Sequence, residues 1–211
     1  MLLSTLLKAA VVAAFSYAVI ALILLVVRTR SFGMKPSYAI PEGSARRGVL
    51  YAFVRGMLPW EKESVATHLP TFVAGLLYHA GVFTALLFLL LLMIEAPPTH
   101  FLSQIFRALV LAGLVSGLGL LIKRVTSRKM RVISVPDDFV ANALVDLFLG
   151  LAFVAMISPA VTPVFLIAAT VLFLYMPMGK IRHCVFFFYT RFVFGVFFGR
   201  RGVLPHPPRE A

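Results

Sequence analysis

Apolar residues run almost unbroken through five stretches, about Ala9–Val27, Pro70–Ile94, Phe101–Ile122, Phe139–Ser158 and Ala160–Met178, and polar positions collect between them. A bilayer core about 30 Å thick takes roughly 20 apolar residues in helix, so each stretch predicts a transmembrane helix. The first run is longer than the roughly 7–15 residues of a signal h-region. Arg28 and Arg30 follow it directly, which predicts a retained first helix. Pro97–Pro98 and Ser158–Pro159 predict turns at one end of the bundle. Pro136-Asp137-Asp138 predicts an N-cap acceptor for the fourth helix, with negative charge at its positive end. The aromatic run Cys184–Tyr189 extends the fifth helix past its boundary, over 160–189. Segments 28–69 and 123–138 are loops and 190–211 is a tail. Prolines and glycines make 28–69 mostly irregular, with a short interfacial helix over Ala45–Leu58. The expected fold is one all-α integral membrane domain over 1–211, a five-transmembrane-helix bundle.

Composition narrows the class. Of 211 residues 61% are hydrophobic and 13% charged, and mean hydropathy is +0.97. A soluble domain carries about 25% charged residues, so a soluble enzyme fold and a disordered chain are both excluded. The single cysteine, Cys184, excludes an internal disulfide, a Cys-ligated iron–sulfur cluster and a covalent C-x-x-C-H haem site.

Charge then sets direction. The net charge of +12 would suggest nucleic acid in a soluble protein. Here the basic residues sit between the apolar runs: seven in 28–69, five in 123–138 and six in the C-terminal segment, eighteen of the 20. Excess Lys and Arg marks the cytoplasmic side. The N-terminus is therefore expected outside and the C-terminus in the cytoplasm, with no nucleic-acid partner.

Polar residues inside spans are candidates for chemistry because burying them in lipid is costly. His68 and His79 are eleven residues apart, about three helical turns, so both lie on one face of the second helix about 16 Å apart. A b-type haem takes one imidazole from each of two helices at similar depth. His183 is the remaining candidate at the cytoplasmic end, and Lys180 and Arg182 beside it suit haem propionates. On depth His68 matches His183 at least as well as His79 does. An interfacial histidine in a basic, aromatic belt is the plainer reading of His183. Asp146, about 12 Å inside the fourth helix, suits a carboxylate behind a ligating histidine or a proton exchanger for a quinone. A structural acid bonded to Asn142, one turn earlier, is equally open. Arg107 is expected to snorkel to the outer interface. His100 and His206 read as solvent-exposed, and the methionines as packing residues.

The stretch Leu172-Phe-Leu-Tyr-Met-Pro-Met-Gly-Lys-Ile-Arg-His183, with Phe186-Phe-Phe-Tyr-Thr-Arg191 and Gly195-x-x-Phe-Gly199, resembles the end of the cytochrome b subunits of the respiratory nitrate reductase gamma family. It is similar to the branch with membrane subunits of heterodisulfide reductase-like and sulfite-reduction-associated complexes. Leu77-Tyr-His79-Ala-Gly-Val-Phe83, His68-Leu-Pro and Ser134-Val-Pro-Asp-Asp138 add to the resemblance, which covers nearly the whole chain.

The resemblance implies a multi-pass protein of a prokaryotic cytoplasmic membrane with one non-covalent b haem. It makes His79 and His183 the axial iron ligands, with His68 the alternative to His79. Where two-haem members carry further histidines, this chain has Phe165 and Leu89, which implies that the outer haem is missing. His68 is left for proton or quinone chemistry, alongside Asp146. The implied activity is electron relay between menaquinone or menaquinol and a cytoplasmic iron–sulfur subunit, with no substrate site other than that for quinone. The competing expectation is a haem-free anchor for a soluble redox enzyme. A transporter is disfavoured, because five spans give no inverted repeat.

Overall fold

The structure is a computed structural model that describes residues 2–33, 40–61 and 68–204. Lys35, Lys62, His206 and Arg209, all read above for their charge or exposure, lie outside the described residues. All regular structure among the described residues is helical: α1 Leu2–Ser31, α2 Ala45–Phe53, α3 Leu69–Met93, α4 His100–Thr126, α5 Arg128–Ile133, α6 Pro136–Ala155, α7 Thr162–Tyr175 and α8 His183–Arg200. Short 3-10 turns occupy Arg55–Met57, Pro59–Glu61, Pro159–Val161 and Lys180–Arg182. Five helices are long and apolar enough to cross a membrane: α1, α3, α4, α6 and Lys180–Arg200.

α5 puts a helix inside the expected loop 123–138, α8 runs to Arg200 within the expected tail 190–211, and two further boundaries move. The segment 160–189 is not one helix but α7 and α8, separated by Met176–Gly179 and the Lys180–Arg182 turn. Pro177 is the physical reason. It has no N–H for the Phe173 carbonyl, and its ring collides with the turn before it. Met178 and Gly179 instead donate to the Tyr175 carbonyl, at 3.0 Å each. A side chain at Gly179 would collide with the Tyr175 ring, which closes over it. The second change is at α6, which begins at Pro136 on a Val135 N-cap. Asp138 does not cap from outside the helix. From the first turn it reaches back and accepts the Val135 N–H at 2.9 Å. The short helix expected over Ala45–Leu58 forms over Ala45–Phe53 as α2, capped by Ser44, and a 3-10 turn follows at Arg55–Met57.

The chain divides into two compact units, Met1–Ala21 with Pro70–Ile181, and Leu22–Leu69 with Arg182–Ala211. In the first, the core is a layer of side chains. Phe148, Phe165, Leu149 and Val110 are fully buried, with Ala14 and Ala18 from α1 and Ala85 from α3 packed among them. Phe165 lies 5.2 Å from Phe148 and 5.8 Å from Phe88, ring centre to ring centre. α3 and α4 cross at Gly81 and Gly113, where a Cβ on either would lie 2.7 Å from the other's Cα.

The second unit is built on α2 against α8. Gly48 faces Gly195 and Gly199 so closely that a Cβ at Gly48 would lie 2.1 Å from the Gly195 carbonyl. Phe53 stacks on Phe188 at 6.3 Å, and the N–H groups of Glu42 and Gly43 donate to the Arg200 carbonyl at 3.0 Å. The two helices therefore run antiparallel, Phe53 beside Phe188 and Gly43 beside Arg200.

Candidate functional site

Successive residues on a helix point about 100° apart, and α3 uses that step to separate Tyr78 from His79. Tyr78 turns into the bundle and His79 stands on the exposed face. His79 Nδ1 lies 2.7 Å from the Gly75 carbonyl, one turn back. A carbonyl only accepts, so in the neutral ring Nδ1 carries the proton and Nε2 is the lone-pair nitrogen. A backbone carbonyl orienting one ring nitrogen is how metal-binding histidines are commonly held.

Tyr78 enters a polar cluster in the otherwise apolar interior. Asn142 and Asp146 are one turn apart on α6, and Asn142 Nδ2 donates to Asp146 Oδ2 at 2.9 Å. The same Nδ2 lies 3.2 Å from Tyr78 Oη and 3.4 Å from the Gly117 carbonyl. Tyr78 Oη donates to the Asn142 carbonyl at 3.3 Å. Asp146 is 5% exposed, and its Oδ1 has no hydrogen-bond partner among the described residues. Gly117 makes the room: a Cβ there would lie 2.1 Å from Asp146 Oδ1 and 2.4 Å from the Tyr78 ring. The expected Asn142–Asp146 bond is present. Tyr78 and Gly117 were not foreseen. The signal for Tyr78 was its place one step from a histidine inside an apolar run, whereas nothing in the sequence marked Gly117.

The other candidates are distributed between the two units. His79, Asp146 and Lys180 belong to the first; His68 and His183, both exposed, belong to the second with exposed Arg182. Lys180, expected at a haem propionate, forms an ion pair with Asp138. Arg124 Nη1 reaches the same carboxylate at 3.1 Å and the Ser134 hydroxyl at 3.1 Å. Asp137 accepts from Tyr175 Oη. The Asp137–Asp138 pair thus ties α4, α6, α7 and the Lys180 turn together at one end of the unit, beyond its expected role in starting α6.

At the opposite end of the same unit Lys8 pairs with Glu95 at 2.7 Å. That contact holds the Glu95 carboxyl below its usual range, chiefly through the hydrogen bond. Arg107 Nη2 donates to the Met156 carbonyl at 2.6 Å, capping the C-terminus of α6. Lys8 and Arg107, the two basic residues away from the expected cytoplasmic loops, are both engaged.

Two imidazoles suffice for a b haem, and the donor chemistry of His79 fits one. Phe165 and Leu89, the positions that the family resemblance connects with a second haem, are 0% and 4% exposed and packed in the core. Among the described residues no three His, Cys, Asp or Glu side chains gather to hold a metal ion. No protein-family model, curated protein or solved structure matches the chain.

Proposed function

We propose that this chain is the membrane subunit of a quinone-linked oxidoreductase, binding one b haem through His79 and His183 and relaying electrons between menaquinone or menaquinol and a cytoplasmic iron–sulfur partner. The observation that carries the reading is the 2.7 Å contact of His79 Nδ1 with the Gly75 carbonyl, which leaves Nε2 as the ligating nitrogen. When bound, the haem supplies one-electron redox chemistry. The chain's own residues hold and surround it. The Gly75 carbonyl fixes the His79 ring tautomer, and exposed Arg182 next to His183 offers a cation to a propionate. Packed Phe165 and Leu89 support a count of one haem. In this reading the membrane is a prokaryotic cytoplasmic membrane, with the N-terminus outside and the C-terminus in the cytoplasm. The concentration of basic residues in loops 28–69 and 123–138 supports that orientation. Asp146 and His68 are assigned to proton exchange with the quinone.

The test is a pyridine haemochrome spectrum of the purified chain. It shows b-type bands, and His79→Ala and His183→Ala each lose them while the protein still inserts. A normal low-spin spectrum in His79→Ala transfers the assignment to His68. No b-type bands in the wild type overturns the reading in favour of a haem-free anchor for a soluble redox enzyme. One observation favours that alternative: Lys180, a residue suited to a propionate, is already paired with Asp138.

A further inference from the structure

Length and hydropathy qualify Lys180–Arg200 as a membrane span, but the second unit's internal contacts oppose it. α2 has nine residues, about 14 Å of helix, and cannot cross a hydrocarbon layer about 30 Å thick. Irregular backbone exposed to lipid is not tolerated either. α2 therefore stays on the side of the membrane where α1 ends and α3 begins. α1, α3, α4 and α6 are each long and apolar enough to cross in turn. In this topology the 17 residues of Pro159–Tyr175, about 25 Å of helix and shorter than those four, are the apolar segment that returns the chain to that same side. α8 starts there, eight residues after Tyr175. Its far end is also there, because Gly195 and Gly199 lie against Gly48 and the Arg200 carbonyl accepts from Glu42 and Gly43.

Neither α2 nor α8 contains an acidic residue, and between them they carry Arg46, Arg47, Arg191 and Arg200, with Arg201 at the C-cap. Small residues fill their shared seam, so the large ones turn outward: Phe188, Phe192 and Phe197 are 60%, 52% and 46% exposed. Arg201 lies over the Phe197 ring at 3.5 Å and Arg191 over Phe187 at 5.6 Å. A hollow of about 490 Å³ opens beside the seam, with Glu42, Ser44, Arg47, Tyr51 and Arg55 in its lining. Aromatic side chains that seek the acyl boundary, interleaved with guanidinium groups that pair with phosphate, are the chemistry of a helix lying in a lipid headgroup layer.

We propose that α8 is not a span. With α2 it forms a surface pair that binds the headgroups of anionic phospholipids on the arginine-rich side. The α2–α8 contacts behind this inference do not involve the haem, but a surface α8 puts His183 at headgroup depth, where His68 and not His79 would be its partner.

The full chain, as Cys184→Ser with Phe192→Cys carrying a fluorophore, is reconstituted in phosphatidylcholine vesicles with and without phosphatidylglycerol. Nitroxide lipids labelled at headgroup depth quench the fluorophore more strongly than lipids labelled at the bilayer centre, and phosphatidylglycerol increases that quenching. Arg47→Gln with Arg200→Gln and Arg201→Gln loses the increase. Stronger quenching by the central label makes α8 a span and overturns the proposal. So does quenching by aqueous iodide with none from either lipid, which assigns the surface to an acidic protein partner. A second measurement does not depend on Phe192. On the Cys184→Ser background, Val203→Cys must react with impermeant maleimide from the same side of sealed vesicles as Arg128→Cys. Reaction from opposite sides refutes the surface placement.

Discussion

α7 and α8 follow one another, are both rich in apolar residues, and bury opposite kinds of residue. In α7 the large side chains go inward, with Phe165 and Leu166 almost wholly buried against α6. In α8 the buried positions are Gly195 and Gly199, and Phe188, Phe192, Phe194 and Phe197 face out. The first arrangement builds a core from side-chain volume. The second lets two backbones touch. Apolar composition therefore does not tell an interior helix from a peripheral one; the face that carries the small residues does.

The comparison is tested most strongly at Phe165. Phe165→Ala leaves a cavity between Phe148 and Phe88 and is expected to cost about 3–5 kcal/mol, read as a lower denaturant midpoint in mixed micelles. Phe192→Ala on α8 removes the same side chain from an exposed position and should stay within about 0.5 kcal/mol. If the two cost the same, the contrast between the helices fails.

Next comes the seam. Gly48→Ala drives a methyl group into the Gly195 carbonyl, where no side chain can rotate away, at an expected cost of about 1–3 kcal/mol. Limited proteolysis should then open α2 and α8 while the first unit keeps its midpoint. Gly75→Ala is the control, since a Cβ there meets nothing within 4 Å.

The four leading apolar runs were legible because length and hydropathy decide a span, and α1, α3, α4 and α6 appear where they were expected. The break at Pro177 was visible as a residue but was outweighed by the apolar letters around it. The Asn142–Asp146 bond could be read from helical spacing alone. Tyr78 and Gly117 could not, because they meet that pair from α3 and α4, and sequence spacing carries no record of which helices pack. Asp138 was placed at the start of α6 by its neighbours, but its pairing with Lys180 spans 42 positions.

A smaller effect is expected at that pairing. Asp138→Asn leaves Lys180 and Arg124 without their shared carboxylate. Because Lys180 is 52% exposed, water replaces much of the lost interaction, and the cost should be about 1 kcal/mol. The Tyr175 fluorescence environment and the denaturant midpoint of the first unit should shift together. A shift in the second unit alone contradicts the assignment of this network to the first.

The smallest effect distinguishes the units by pH. In the second, Arg55 Nε donates to Glu61 Oε1 at 2.6 Å and Tyr51 Oη to Oε2 at 3.2 Å. The hydrogen bond from Arg55 comes first in holding the Glu61 carboxyl below its ordinary value of 4.5. Burial, and then Glu61, raise the Tyr51 phenol. A carboxyl whose pKa is depressed on folding binds fewer protons folded than unfolded, so its contribution is fully present above pH 4.5 and is lost as pH falls through the depressed value. Protease resistance around α2 should therefore weaken on acidification below that point, and Glu61→Gln should remove this dependence. The glycine seam carries no titrating group, so the residual resistance at low pH measures what backbone packing alone supplies. If Glu61→Gln leaves the acid response intact, the pH-sensitive group lies elsewhere in the unit.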